Sequence, residues 1–449
     1  MKRISLSAVC ILCAIVAAAQ ESKTIPLSLR ECVQLAIERN INVEQARIDL
    51  EKSDHKTSET RSSLLPKVNV SGSFMDFLEK QKTLLPGIIV GREGNLAVEM
   101  GTQYNTSASL NVTQVLYNQS ALTALKIARQ METMNELGVE KVSEELTAEI
   151  AKLYFLSLTS DKQKDLVEEN IARVKRLSDI IQLLVENGMG RETDLERISV
   201  SLENLYTQQS NAQAVHEQQL NMIKFMLEIP LEETIVLTDN VETSLLVQMP
   251  GLTSDFSEHI DIQMLEAQME INRLNESLIK AGYLPSLAFV GSYGFTGYRD
   301  EFKNYFRSSP ESDWFTSSYV GLNLSIPVFD GFEKRSKTRQ EKLDYQKTAM
   351  TLDHTKERFN VNYQNALNNY QNHKNNVERQ KKNIALAEKV DRETALKYRE
   401  GLATMSEVLQ DEMALSSAQA AYLSALYQFR EAEVSIMSLN GEIKNLIIN

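Results

Sequence analysis

The sequence is poor in the residues that punctuate a chain. Its 449 residues hold only 17 glycines and 8 prolines, where average usage would supply roughly 30 and roughly 20. Few turns therefore serve many residues, which argues for very long regular elements and against a compact α/β enzyme. Five histidines and three cysteines leave little material for a His/Cys metal centre, so no metal or cofactor is expected. No GxSxG, P-loop, HExxH or CxxC pattern occurs, and His55, His216, His259, His354 and His373 stand isolated on helix faces. The chain is therefore not read as an enzyme. Acidic residues outnumber basic ones 61 to 48, a net charge of −13, which speaks against nucleic acid as a ligand.

The one long apolar run is at the N-terminus. Lys2 and Arg3 precede an apolar stretch from Ile4 to Val16, and Ala17-Ala18-Ala19 lead into Gln20-Glu21. This is the layout of a secretory signal peptide over residues 1–19. Its removal takes Cys10 and Cys13, neither in a lipobox context, and leaves Cys32 without an internal disulfide partner. Beyond residue 19 no stretch approaches the ~18 apolar residues of a membrane helix. The chain is expected to be exported and to lack a spanning helix.

Proline and glycine divide the remainder. No proline lies between Gly87 and Ile229 or between Val328 and Asn449, and Gly401 is the only glycine between Phe332 and Asn440. An interior proline costs a helix ~3 kcal/mol, so such runs leave room for long helices. Residues 118–187 and 191–229 read as two helices broken at Gly188-Met189-Gly190; 331–400 and 403–440 read as two more, broken at Gly401. Val167, Ile171, Val174, Leu177, Ile181 and Leu184 step by threes and fours. So do Val408, Leu415, Tyr422, Leu426, Phe429 and Ile436 on the last helix, beside a second seam through Leu409, Met413, Ala420, Leu423, Tyr427 and Val434. Two narrow seams mean neighbours on two sides. A long coiled coil satisfies the same spacing. From Tyr363 to Asn376 the apolar stripe nearly vanishes, which leaves a large solvated face.

Four segments have period two instead: about 67–77, 106–117, 285–298 and 319–330. Val68, Val70 and Phe74 share one face of the first, and Ala108, Leu110 and Val112 alternate with Ser109, Asn111 and Thr113 in the second. In the third, Leu287, Phe289, Tyr293 and Phe295 alternate with smaller residues. In the fourth, Val320, Leu322, Leu324 and Ile326 alternate with Gly321, Asn323 and Ser325. Each is long enough to cross a bilayer as a tilted strand, and a small half-buried soluble sheet would show the same alternation.

The order of elements occurs twice: helix, strand, loop, strand, long helix, glycine break, shorter helix. Leu64-Leu65-Pro66 matches Tyr283-Leu284-Pro285, and the run from Asn111 to Tyr117 matches that from Asn323 to Phe329. Gly188 through Leu195 matches Gly401 through Val408, with Thr193-Asp194-Leu195 opposite Ser406-Glu407-Val408. The expected division is a repeat over 20–229 (strands about 67–77 and 106–117, long helix about 118–187), a linker over 230–252, and a repeat over 253–449 (strands about 285–298 and 319–330, long helix about 331–400). The long helices would each reach roughly 100 Å. Helices near 28–65 and 254–283, stacked end to end on the shorter ones, would complete two-column hairpins. Four strands cannot close a membrane barrel, which needs ~8, and lipid tolerates no open sheet edge. If the strands span a membrane, several copies must share one barrel.

On these residues the chain resembles the TolC family of bacterial outer-membrane efflux proteins, from about Leu27 to Ile443. The resemblance rests on Leu64-Leu65-Pro66 entering a strand, Leu324 to Gly331 leaving one, and the duplicated glycine turns. It implies a homotrimer whose twelve-stranded β-barrel sits in outer-membrane lipid, continued by an α-helical barrel through the periplasm and a mixed belt holding 230–252 and the segment after Asn440. The loops at 78–105 and 299–318 would face the exterior. The implied function is a passive exit duct for drugs or other small toxic compounds, delivered by an inner-membrane transporter and a periplasmic adaptor. A type I protein secretion duct is the alternative. A soluble periplasmic coiled-coil scaffold or adaptor is a further one, although nothing resembles an adaptor's biotinyl-lipoyl-like module.

The resemblance also implies site residues. Gly188, Met189, Gly401, Leu402 and Ala403 form the adaptor-contacting turns. Glu407 stands where the family places an acidic constriction, and three symmetry copies would raise one another's pKa. Where the family's second aspartate would stand this chain has Gln410, with Asp411 beside it. Tyr398 and Asp194 match a link between helix pairs, and Ala403 replaces an arginine that assists there, so a gate with fewer polar links is expected.

Overall fold

The computed structural model describes residues 24–91, 93–242, 256–302 and 314–448. The expected signal peptide, the end of the linker at 243–252 and most of the 299–318 loop lie outside the described residues. Contacts divide the chain into two units that each draw on both repeats: Met1–Asp49, Asn135–Glu266 and Met350–Asn449 in the first, Leu50–Met134 and Ala267–Ala349 in the second.

The first unit is helical around a small parallel pair. Strand β1 (Thr24–Leu27) pairs with β6 (Thr234–Leu237), Thr24 opposite Thr234. Helix α1 (Leu29–Arg39) starts at a capping box in which Ser28 and Glu31 satisfy each other's backbone N–H, and it buries Cys32, Val33 and Ala36 completely. The single helix expected near 28–65 is two. Asn40 is extended (ψ 132°); its Oδ1 accepts from the Asn42 N–H (2.9 Å), opening α2 (Ile41–Ser62), while its Nδ2 donates to the Met226 carbonyl (3.0 Å). A side chain that caps one helix and bonds a distant backbone outweighs the intrinsic tendency to continue. The Tyr154 hydroxyl donates to Asp239 Oδ2 (2.8 Å) and lies 3.1 Å from the Leu27 carbonyl. Arg430, buried to 1%, donates twice to the Val241 carbonyl (2.9 and 2.7 Å) and to Glu433. These bonds fasten the segment after α4 (Glu192–Met226) to α3 (Gln119–Glu186) and α7 (Met405–Leu439).

Helices α3 and α6 (Glu333–Arg399) run for 68 and 67 residues, α4 and α7 for 35 each. At ~1.5 Å per residue the long ones extend roughly 100 Å.

The second unit carries an antiparallel sheet in the order β2 (Lys67–Asp76), β5 (Tyr104–Tyr117), β7 (Ser286–Arg299) and β8 (Trp314–Ser325). Three strands fall where the alternation put them. The fourth is displaced from 319–330 to Trp314–Ser325: Pro327 has no N–H to donate and constrains Ile326, while the polar Thr316-Ser317-Ser318 pairs with Phe295, Gly294 and Tyr293. The 78–105 segment contains a hairpin, β3 (Lys82–Pro86) with β4 (Asn95–Glu99), joined by a short 3-10 turn. Helix α5 (Ile260–Ala281) precedes β7.

Candidate functional site

The sheet has two unlike faces, fixed by its register. One row across it reads Val68, Val112, Gly291, Val320; the next reads Val70, Leu110, Tyr293, Ser318; Phe289 lies beside Leu322 and Leu287 beside Leu324. Val70 and Val320 are more than three-quarters exposed. The opposite face carries Ser71 on Ser109 (2.9 Å), Ser73 on Ser107 (2.8 Å) and Ser292 donating to Asn111 (2.8 Å). An apolar face open to the outside, backed by bonded hydroxyls, is the arrangement of a membrane barrel wall, and among the described residues neither β2 nor β8 has a second neighbour.

In the helical unit, α3 and α6 end alike. Gly188 and Gly401 adopt φ of 73° and 75°, the left-handed conformation that glycine reaches without a Cβ penalty. Met189 N–H donates to the Leu184 carbonyl and Leu402 N–H to the Lys397 carbonyl, both at 2.8 Å, with the glycine N–H groups bonded one turn back to Val185 and Tyr398. Both ends are therefore Schellman caps, and each presents an apolar side chain outward: Met189 and Leu402 are both 74% exposed. Ala403, next in the second turn, is half-buried.

The next helices start differently. Helix α7 begins in a capping box: the Thr404 N–H and Oγ1 donate to Glu407 Oε2 (2.6 and 2.9 Å), and the Glu407 N–H returns to Thr404 Oγ1 (3.3 Å). These bonds favour the charged carboxylate and lower the Glu407 pKa. Within the chain this opposes the upward shift expected from repulsion among symmetry copies. Helix α4 has Arg191 at its N-cap and no side-chain cap. Asp194, the counterpart of Glu407, instead accepts from the Tyr398 hydroxyl at 3.4 Å; burial, then the Asp194 charge, raises the Tyr398 pKa. The expected Tyr398–Asp194 pair is thus brought together, and Arg197 adds a 2.9 Å bond to Ser406. Gln410 is exposed and Asp411 half-buried.

One cluster escaped the sequence reading. Arg173 of α3 lies 3.5 Å from Asp391 of α6 and 3.2 Å from Glu412 of α7, and both carboxylates are 6% exposed. Arg173 also bonds Asn170, whose amide donates to Gln419 at 2.8 Å. Burial raises the pKa of Asp391 and of Glu412, only partly offset by Arg173. The signal was present: Glu412 and Gln419 stand at seam positions between Val408, Leu415 and Tyr422, where apolar residues belong. A cavity of about 340 Å³ opens beside Arg173 and Glu412. Among the described residues no group of three or more His, Cys, Asp or Glu is placed to hold a metal ion, and no helix is long and apolar enough to cross a membrane.

A sheet with one apolar and one polar face, in a chain whose long helices end at paired Schellman caps, is the build of an outer-membrane channel subunit. The model of the outer membrane efflux protein family matches residues 32–227 and 257–442, and the chain belongs to that family. It is 22% identical over 301 residues to the outer membrane protein TolC of Vibrio cholerae, an alignment covering 66% of this chain and 63% of that protein, less than two thirds of its length. The solved structure of CusC, reported for transmembrane channel formation, superposes with a TM-score of 0.73 at 16% identity over 92% of this chain and 91% of that one. The outer membrane protein VceC of Vibrio cholerae gives 0.70 at 13% identity over 92% and 96%. The fold class is mainly α with a four-stranded membrane β-sheet, the fold of those channels. The family is one of efflux ducts rather than enzymes, located in the outer membrane with a periplasmic extension.

Proposed function

We propose that this chain forms, as a homotrimer, the passive outer-membrane exit duct of a tripartite efflux system for drugs or other small toxic compounds. The observation that carries this reading is the two-faced sheet: a hydroxyl-lined face suits an aqueous lumen, and the apolar face suits lipid. Four strands from each of three copies make twelve. An inner-membrane transporter supplies the energy and a periplasmic adaptor bridges to the duct. The turns support that role, since Met189 and Leu402 offer matched exposed apolar contacts at Gly188 and at Gly401-Leu402-Ala403. The Tyr398–Asp194 bond, joining the end of α6 to the start of α4, acts as the gate link. Glu407, with Gln410 and Asp411 following, lines the constriction as an acidic ring, its charged form favoured by the Thr404 bonds.

Single-channel conductance of purified protein in a planar bilayer tests the reading. Small, stable, cation-selective steps are expected, with selectivity reduced in Glu407→Ala. Well-folded protein that never forms a channel would overturn it.

A further inference from the structure

At the sheet end that joins the helices, Ser286 opens β7 opposite Ser325, the last residue of β8. Just outside this pair, Tyr283 on one side and Pro327-Val328-Phe329 on the other line a cavity of about 500 Å³ together with the first turns of α6. Five cationic side chains line it, Lys280, Lys334, Arg335, Arg339 and Lys342, against the single carboxylate of Asp330, in a chain whose net charge is −13. Three of the five are engaged: Lys334 with Asp330 (3.1 Å), Lys280 and Lys342 with Glu276. Arg335 and Arg339 are exposed and make no ion pair among the described residues.

The apolar part of the wall is aromatic. Lys334 Nζ stands 5.3 Å from the centroid of Tyr283, its stem crossing Gly282 so closely that a Cβ there would lie 3.0 Å from Lys334 Cε. Phe329 and Phe332 meet edge to face at 5.5 Å and both remain exposed. The apolar row Leu287, Leu324 and Leu322, Phe289 runs to this end of the sheet.

We infer that this cavity binds the phosphodiester headgroup of an anionic glycerophospholipid in the periplasmic leaflet, one lipid per chain. The inference rests on the outer-membrane reading above. Acyl chains fit the leucine row, aromatic rings belong at the depth where hydrocarbon gives way to headgroups, and two unpaired guanidinium forks match phosphate oxygens. Basic pockets at a membrane boundary hold anionic headgroups by the same physics. The first repeat has no such site: at the positions equivalent to Lys334, Arg335, Arg339 and Lys342 it has Leu122, Thr123, Ile127 and Gln130. The stoichiometry is therefore one, although each chain presents two strand pairs.

Native mass spectrometry of the intact protein in mild detergent, titrated with dioleoylphosphatidylglycerol, tests this. One retained lipid per chain is expected, with affinity reduced roughly fivefold per arginine removed and on the order of twenty-five-fold in Arg335→Gln/Arg339→Gln. Arg335→Lys/Arg339→Lys should keep most of the binding, and Lys381→Gln/Lys382→Gln, outside the cavity, all of it. Equal retention by the double glutamine variant and the parent protein would overturn the assignment. So would inorganic phosphate displacing the lipid at equal concentration, which would mark a free-anion site. Bilayer conductance of the same samples separates failure of this site from failure of the duct reading, because lipid loss leaves channel formation observable.

Discussion

The two interhelical turns share a backbone and differ in the side chains that follow. Gly188 and Gly401 end their helices with the same φ and the same pair of backbone bonds. Three residues on, at the N-caps, the copies differ: Thr404 and Glu407 satisfy each other, whereas Arg191 offers no acceptor and Asp194 reaches Tyr398 instead. The same acidic position thus serves its own helix in one repeat and a neighbouring helix in the other. The divergence continues up the helices. Asp391 and Glu412 correspond to Ser178 and Ser199, and Arg173 to Leu386, so the buried ion cluster exists once and not twice. Backbone reversal is what both copies had to preserve. The side-chain ties between helices are asymmetric, which under the proposed gate gives the two helix pairs unequal holds.

The largest expected effect comes from removing the asymmetry at the ion cluster. Arg173→Met leaves two buried carboxylates without their counter-charge and should cost about 3 kcal/mol; an unchanged melting temperature would show that the cluster bears no load. Glu412→Gln should behave oppositely. Burial raises the Glu412 pKa, so its protonated form is the one folding favours. The stability it contributes is complete below the ordinary carboxylate range near pH ~4 and is lost as pH rises through the folded value. Denaturation midpoints measured across pH should therefore fall less steeply toward neutral pH in Glu412→Gln than in the parent.

At the turns, Gly188→Ala and Gly401→Ala should each cost roughly 1–2 kcal/mol, and by equal amounts, because neither site has an atom within 4 Å of the added Cβ. Unequal losses in paired melts would mean that one turn is strained beyond its φ. Exchanging the caps sharpens the comparison further. Thr404→Ala should cost about 1 kcal/mol and Arg191→Thr should gain a similar amount, while drawing Asp194 back toward its own helix. Elevated leak conductance in Arg191→Thr is the expected signature of that withdrawal. The smallest effect belongs to Tyr398→Phe: one long hydrogen bond, worth about 0.5 kcal/mol, read as roughly a doubling of spontaneous opening. A leak indistinguishable from the parent would remove this bond from the gate.

The long helices were legible because the scarcity of glycine and proline is a strong local statement, and their ends fall within two or three residues of the glycine breaks. Three strands were legible from alternation. The fourth was misplaced because Ile326 and Val328 continue the period past a proline, while the true start at Trp314 is a run of hydroxyls that pairs only by virtue of β7. The break at Asn40 and the β3–β4 hairpin depend on partners distant in the chain or on a pairing too short to leave a period. At the candidate site, Tyr398 and Asp194 came from family likeness, and the structure sets them 3.4 Å apart. Arg173, Asp391 and Glu412 are spread over three helices, so only the anomaly of Glu412 in an apolar seam could have pointed to them. The capping role of Glu407 could have been read from the Thr404-Met405-Ser406-Glu407 spacing.

The hydroxyl face of the sheet has a consequence for traffic. Ser71, Ser73, Ser107, Ser109, Asn111 and Ser292 there bond one another, and between Asn69 and Met75 on β2, as between Asn105 and Thr113 on β5, that face carries no charge. If the chain forms the proposed duct, a wall whose hydroxyls bond one another and whose β2–β5 half has no fixed ions gives a passing solute little charge to adhere to. In that duct, molecules of unrelated chemistry would meet no charged group on these two strands to tell them apart, and discrimination would fall to an earlier step.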